Sequence, residues 1–116
     1  MLNMYVTGHP LEAIWDKLSG MVKNRILDFQ EMKDDDAVYF AGMVVGVRRT
    51  MTRSGKPMGY IRIEDMAGSV ETVVFPNLWE QSGGISNGDV LIVDGRLDYK
   101  EDVIKVIANK MRRVKF

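Results

Sequence analysis

Residues Phe40–Phe75 read FAGMVVGVRRTMTRSGKPMGYIRIEDMAGSVETVVF, and the turn signals inside this stretch decide the fold. Arg53-Ser54-Gly55-Lys56-Pro57 is a hairpin loop with cations at its tip, and Asp65-Met66-Ala67-Gly68 is a second turn. Between them Met58–Glu64 alternates. Gly59, Ile61 and Ile63 share one face of a strand, and Met58, Tyr60, Arg62 and Glu64 share the other. Upstream, Val38–Thr50 favours strand but is interrupted by Gly42 and Gly46. Glycines at such places mark a bulge or a bend, which a long first strand needs if it is to join both sides of a small barrel. Downstream, Ser69–Phe75 places Val70, Val73, Val74 and Phe75 on both faces, which predicts partial burial on each side.

Working outward, Pro76 opens a short helical segment through Leu78, Trp79 and Glu80, and Ser82-Gly83-Gly84 and Asn87-Gly88-Asp89 break the chain again. Val90–Leu97 reads as a fourth strand, Asp98–Asp102 as an acidic turn and Val103–Ala108 as a fifth strand. On the N-terminal side, Met1–Thr7 is short and strand-like, and Gly8-His9-Pro10 is a turn. Leu11, Ile14, Trp15 and Leu18 then carry the spacing of an amphipathic helix, which Ser19-Gly20 ends. Residues 21–36 look irregular, anchored by Ile26, Leu27 and Phe29, and Lys33-Asp34-Asp35-Asp36 reads as a solvated turn.

The predicted class is mainly β: a five-stranded OB-fold Greek-key barrel with an N-terminal helix and a short helix between strands 3 and 4. Sandwiches and SH3-like barrels have similar strand counts, and the helix position and glycine-bent first strand favour the OB-fold. The organisation expected is a lead-in with its helix over 1–36, the barrel over 37–109 and a basic tail over 110–116. No period indicates repeats, and no segment is low in complexity.

A chain of 116 residues is one domain with one core, and 46% hydrophobic with 28% charged residues is ordinary for a globular protein. No window is long and apolar enough for a transmembrane helix, and the N-terminus lacks a signal pattern, so the expected location is the cytoplasm without membrane contact. With no cysteine, disulfides and thiolate-held zinc are excluded. The formal charge is zero but unevenly spread: −3 over residues 1–36, +5 over 37–63, −7 over 64–102 and +5 over 103–116. Screening over about 8 Å at physiological salt makes the local balance matter more than the total. This pattern suggests one basic face; the alternative is solvated cations balanced by neighbours across the sheet.

From Ala37 to Ile63 there is no acidic residue, yet Arg48, Arg49, Arg53, Lys56 and Arg62 surround Tyr60. An exposed tyrosine can stack a nucleobase, and the cations suit phosphate, so these six residues are the candidate nucleic-acid-binding set. The competing reading packs Tyr60 beneath the N-terminal helix and pairs Arg62 with Glu71 across the sheet. Other chemistry is poorly represented. His9 has no cysteine or suitably spaced carboxylate for a metal, and no nucleophile triad order is recognisable. Arg53-Ser54-Gly55-Lys56 lacks the upstream glycine of a phosphate loop, and Glu64-Asp65 and Glu101-Asp102 border turns. No catalytic residue, metal or cofactor is expected within this chain. Trp15 and Trp79 read as core, and the methionines as gap fillers, although Met43, Met51, Met58 and Met66 could soften an interface.

Several motifs resemble a known family. Tyr5-Val6-Thr7-Gly8-His9-Pro10-Leu11 is similar to a segment just ahead of the OB domain in bacterial replicative DNA polymerase III alpha subunits. Gly55-Lys56-Pro57-Met58, Ile63-Glu64-Asp65, Gly68-Ser69-Val70-Glu71, Val74-Phe75-Pro76 and Val93-Asp94-Gly95-Arg96-Leu97 resemble motifs of that OB domain. The likeness runs from Tyr5 to about Ala108, with Thr7 where serine is commoner and Tyr60 where phenylalanine is common. A looser similarity exists to anticodon-binding OB domains of class II aminoacyl-tRNA synthetases, in which an aromatic five residues before an aspartate stacks on a base; here Tyr60 stands so before Asp65. The polymerase resemblance implies a non-catalytic, single-stranded-DNA-binding module working in cis with a DNA-directed DNA polymerase whose active site lies elsewhere. The alternatives are a protein-interaction module for the sliding clamp, a clamp-loader subunit or a single-strand-binding protein, and an RNA- or tRNA-binding OB domain.

Overall fold

A strand of fifteen residues is too long for one partner, and β1 (Ala37–Met51) divides itself between two. In a computed structural model, which describes residues 11–100 and 102–114, Ala37–Met43 runs antiparallel to β4 (Val90–Lys100) and Met43–Met51 antiparallel to β2 (Pro57–Glu64). Both interrupting glycines sit at this change of partner. A Cβ on Gly42 would stand 2.6 Å from the Glu64 carbonyl oxygen, too close for any side chain. The ladder then slips between Val44 and Gly46, a bulge that turns the strand.

β3 (Ser69–Val74) pairs with β2, and β5 (Val103–Arg113) pairs parallel with β3 and antiparallel with β4. The sheet closes in the order β1-β2-β3-β5-β4. With α1 (Trp15–Ser19) near the N-terminus and α2 (Pro76–Gln81) between β3 and β4, this is the five-stranded OB-fold barrel expected from the sequence.

Strand alternation fills the barrel. Phe40, Val44, Ile61, Ile63, Val74, Leu91, Val93, Leu97 and Val106 are all buried within one core. Phe29, on a 3-10 helix spanning Ile26–Glu31, meets Phe40 edge-on with ring centroids 5.2 Å apart. The stretch that reads as irregular thus contains a turn of helix plugging the core, too short to leave a periodic signal. On α2, Trp79 lies directly over Gly59, where a Cβ would meet the indole.

Asp65 joins the turn after β2 to that plug. It is buried, and its carboxylate accepts the N–H groups of Ile26, Ala67 and Gly68, each at 2.9 Å. The aspartate run divides its work. Asp34 accepts the Tyr99 N–H at 2.8 Å, Asp35 pairs with Arg96 at 3.2 Å and Asp36 accepts the Lys33 N–H at 2.8 Å.

α1 covers a different surface. Leu11 and Leu18 pack on Ala41 and Ile92, on the outer side of β1 and β4, so Tyr60 does not lie beneath this helix. β4 continues three residues past the expected Leu97, and β5 continues through Arg113. Lys110–Arg113 is therefore strand, held in register with Leu91–Asp94 beyond a bulge at Asp94/Gly95. The expected strand and turn over Met1–Pro10, His9 and Glu101 lie outside the described residues. Among the described residues, no helix is long and apolar enough to cross a membrane.

Candidate nucleic-acid interface

The register of four strands assembles the site. Arg48, Tyr60, Val73 and Ile107 form one row across β1, β2, β3 and β5, and Gly46, Arg62, Glu71 and Lys105 form the next. Because Ile61 and Ile63 point into the core, their neighbours Tyr60 and Arg62 stand outward. Tyr60 is half-buried in a groove of about 460 Å³. Met58, Val73 and Ile107 line it with Tyr60, Phe75 and Val103 add apolar surface, and Asp98, Lys100 and Lys105 supply charge.

Cations bracket the ring. The Arg48 guanidinium carbon lies 4.3 Å from the Tyr60 centroid and the Lys105 Nζ 5.7 Å from it, both within cation–π range. Glu71 holds the two in place: its Oε2 is 3.5 Å from Arg48 Nη2 and its Oε1 is 3.4 Å from Lys105 Nζ. Arg62 is therefore not the partner of Glu71 despite facing it in register; its Nη1 donates to Ser69 Oγ at 3.2 Å.

The candidate residues separate into three groups. Arg48, Tyr60 and Arg62 come together on the outer face. Arg49 pairs with Gly59 and shares its parity, so it belongs to the opposite side of the sheet. Arg53 and Lys56 sit exposed in the β1–β2 loop, which Thr52 closes by exchanging backbone hydrogen bonds with Lys56 and Gly55, each 2.9 Å long. The loop lies about four residues, roughly 13 Å at strand rise, from Tyr60. Gly55 adopts φ +85°, a left-handed conformation that suits glycine there.

Sequence reasoning missed Lys100, Lys105 and Glu71 as members of the site. Lys105 arrives through the parallel β3–β5 pairing, a long-range contact with no local signature. Phe75 was readable as part of β3, but its exposure was not: it is 46% exposed one position past the strand's end, at the start of α2.

A family model described as an OB-fold nucleic acid binding domain matches residues 38–114. The chain belongs to that family. Its matched segment begins in β1 and ends just past β5, so it takes in the whole barrel. DNA polymerase III subunit alpha of Mycobacterium tuberculosis (strain CDC 1551 / Oshkosh) is 30% identical over 115 residues, which cover 96% of this chain and 10% of the relative. The chain thus spans about a tenth of the length of the curated relatives it matches. Among solved structures, a domain of replication protein A from Methanococcus maripaludis superposes with TM-score 0.62 at 12% identity, covering 75% of this chain and 92% of that one. The single-stranded DNA binding protein from Thermus aquaticus gives TM-score 0.61 at 20% identity, covering 70% of this OB-fold domain and 41% of that chain. These two likenesses establish the shared fold.

Proposed function

We propose that this domain is a non-catalytic single-stranded-DNA-binding module of a bacterial replicative DNA polymerase III alpha subunit, holding template single strand beside a polymerase active site carried elsewhere in the longer chain. The observation that carries the reading is the Tyr60 ring, outward in a groove and flanked by Arg48 and Lys105. A base stacks on Tyr60, worth about 1–3 kcal/mol, without dependence on sequence because every base has a π-face. The exposed cations Arg53, Lys56, Arg62 and Lys100 take phosphates around the groove, and Arg48 and Lys105 lie over the ring itself. The similarity to polymerase alpha subunits supports DNA rather than RNA as the ligand, and replication as the setting.

Anisotropy of a labelled single-stranded oligonucleotide, titrated at several salt concentrations, tests this. Each phosphate neutralised lowers log K by about 0.7 per log unit of salt, so a clear negative slope is expected. A flat titration counts against the reading.

Docking of a sliding clamp, a clamp-loader subunit or a single-strand-binding protein is a second reading. It draws on the exposed apolar side chains Phe75 and Val103 beside the same groove. Capture of such a protein unaffected by Tyr60→Ala and Arg62→Ala favours it.

A further inference from the structure

Among the described residues, Glu71 is the carboxylate that lies between Arg48 and Lys105, two groups that attract phosphate. Its side chain is only 23% exposed, it sits in the row next to Tyr60, and each of its oxygens is committed to a different cation. A site built solely to collect phosphate would leave Arg48 and Lys105 free. Here a negative charge sits between them, so the three groups together carry +1 rather than +2, and the pull of this edge of the groove on phosphate is halved. Among the described residues, cations without a carboxylate partner stand at Arg62 in the same row, at Lys100 in the groove lining, and further out at Arg53 and Lys56.

We propose that Glu71 is a specificity residue that discriminates single-stranded from duplex nucleic acid at this groove. The inference rests on the Tyr60 platform described above. A duplex hides its bases and presents phosphates, so it can approach the groove only phosphate-first and meets the Glu71 carboxylate. A single strand turns an uncharged base face onto Tyr60 and keeps its phosphates outward, where the unpaired cations lie. Glu71 therefore acts by repelling the wrong ligand more than by attracting the right one. In wild type, Arg48 and Lys105 together offer phosphate a net +1, because Glu71 compensates one of their two charges.

The test compares Glu71→Gln with wild type against a single-stranded oligonucleotide and a duplex of the same sequence, over a salt series. Duplex affinity is expected to rise about five- to tenfold and single-strand affinity less than twofold. The duplex salt slope should also steepen by about 0.9, the share of the one positive charge that Glu71 no longer compensates. Glu80→Gln on α2 is the matched control for lost negative charge, and Glu71→Thr is a second neutral variant that suits a strand should the glutamine variant fold poorly. An unchanged single-strand-to-duplex ratio overturns the proposal, and so does an equal gain in Glu80→Gln. If Tyr60→Ala leaves single-strand binding intact, the platform itself fails; if it weakens binding while Glu71→Gln leaves the ratio alone, only the role of Glu71 fails.

Discussion

Removing the Tyr60 ring separates stacking from charge. Tyr60→Ala deletes the aromatic ring that Arg48 and Lys105 frame, at 4.3 and 5.7 Å. Those cation–π contacts exist in the free protein and largely cancel from the binding difference, which leaves the base–ring contact of about 1–3 kcal/mol. At 1.4 kcal/mol per factor of ten, Kd for a single-stranded oligonucleotide should rise roughly five- to 150-fold. No phosphate contact is lost, so the slope of log K against log salt should stay as in wild type. Tyr60→Phe keeps the π-face and should bind within about twofold of wild type. Fluorescence anisotropy at three or more salt concentrations measures both quantities, with a melting curve for each variant to confirm folding. If Tyr60→Ala binds like wild type, or Tyr60→Phe fails as badly as Tyr60→Ala, the stacking argument is refuted.

Other positions make separate demands. Arg62→Ala should make the single-strand salt slope shallower by about 0.7, the share of one phosphate, whereas Arg49→Ala, on the other side of the sheet, should leave it unchanged. Gly59→Ala would put a methyl group 2.2 Å from Trp79 Cζ3, so α2 must lift from the barrel; a loss of about 3 kcal/mol is expected, read as a lower midpoint in urea. Asp65→Ala strands the N–H groups of Ile26, Ala67 and Gly68, and the buried one alone should cost on the order of 1–3 kcal/mol by the same assay.

The barrel is largely legible in the sequence because its signals are local. Alternation in Met58–Glu64 assigns Ile61 and Ile63 to the core, and Gly42 and Gly46 fall where β1 changes partner. What escaped was set by distance. Lys105 reaches Tyr60 only because β5 runs parallel to β3, and Glu71 takes Arg48 and Lys105 in place of its register neighbour Arg62. Arg48 and Arg49 look equivalent in composition, and a period of two separates them onto opposite faces. The far end of β5 was missed because Asn109, Lys110, Arg112 and Arg113 are polar and exposed, which reads as a tail until the pairing with β4 is seen.

Chemical-shift mapping of the isotope-labelled domain with a short oligothymidine bears most directly on where an unpaired strand is held. Perturbed amides should concentrate at Tyr60, Arg62, Val73, Lys105 and Ile107, the residues that the β2–β3–β5 register brings together. Shifts gathered instead around Tyr39, Ile92 and Asp94, in the groove on the β1–β4 side, or no shifts at saturating oligonucleotide, would contradict the account.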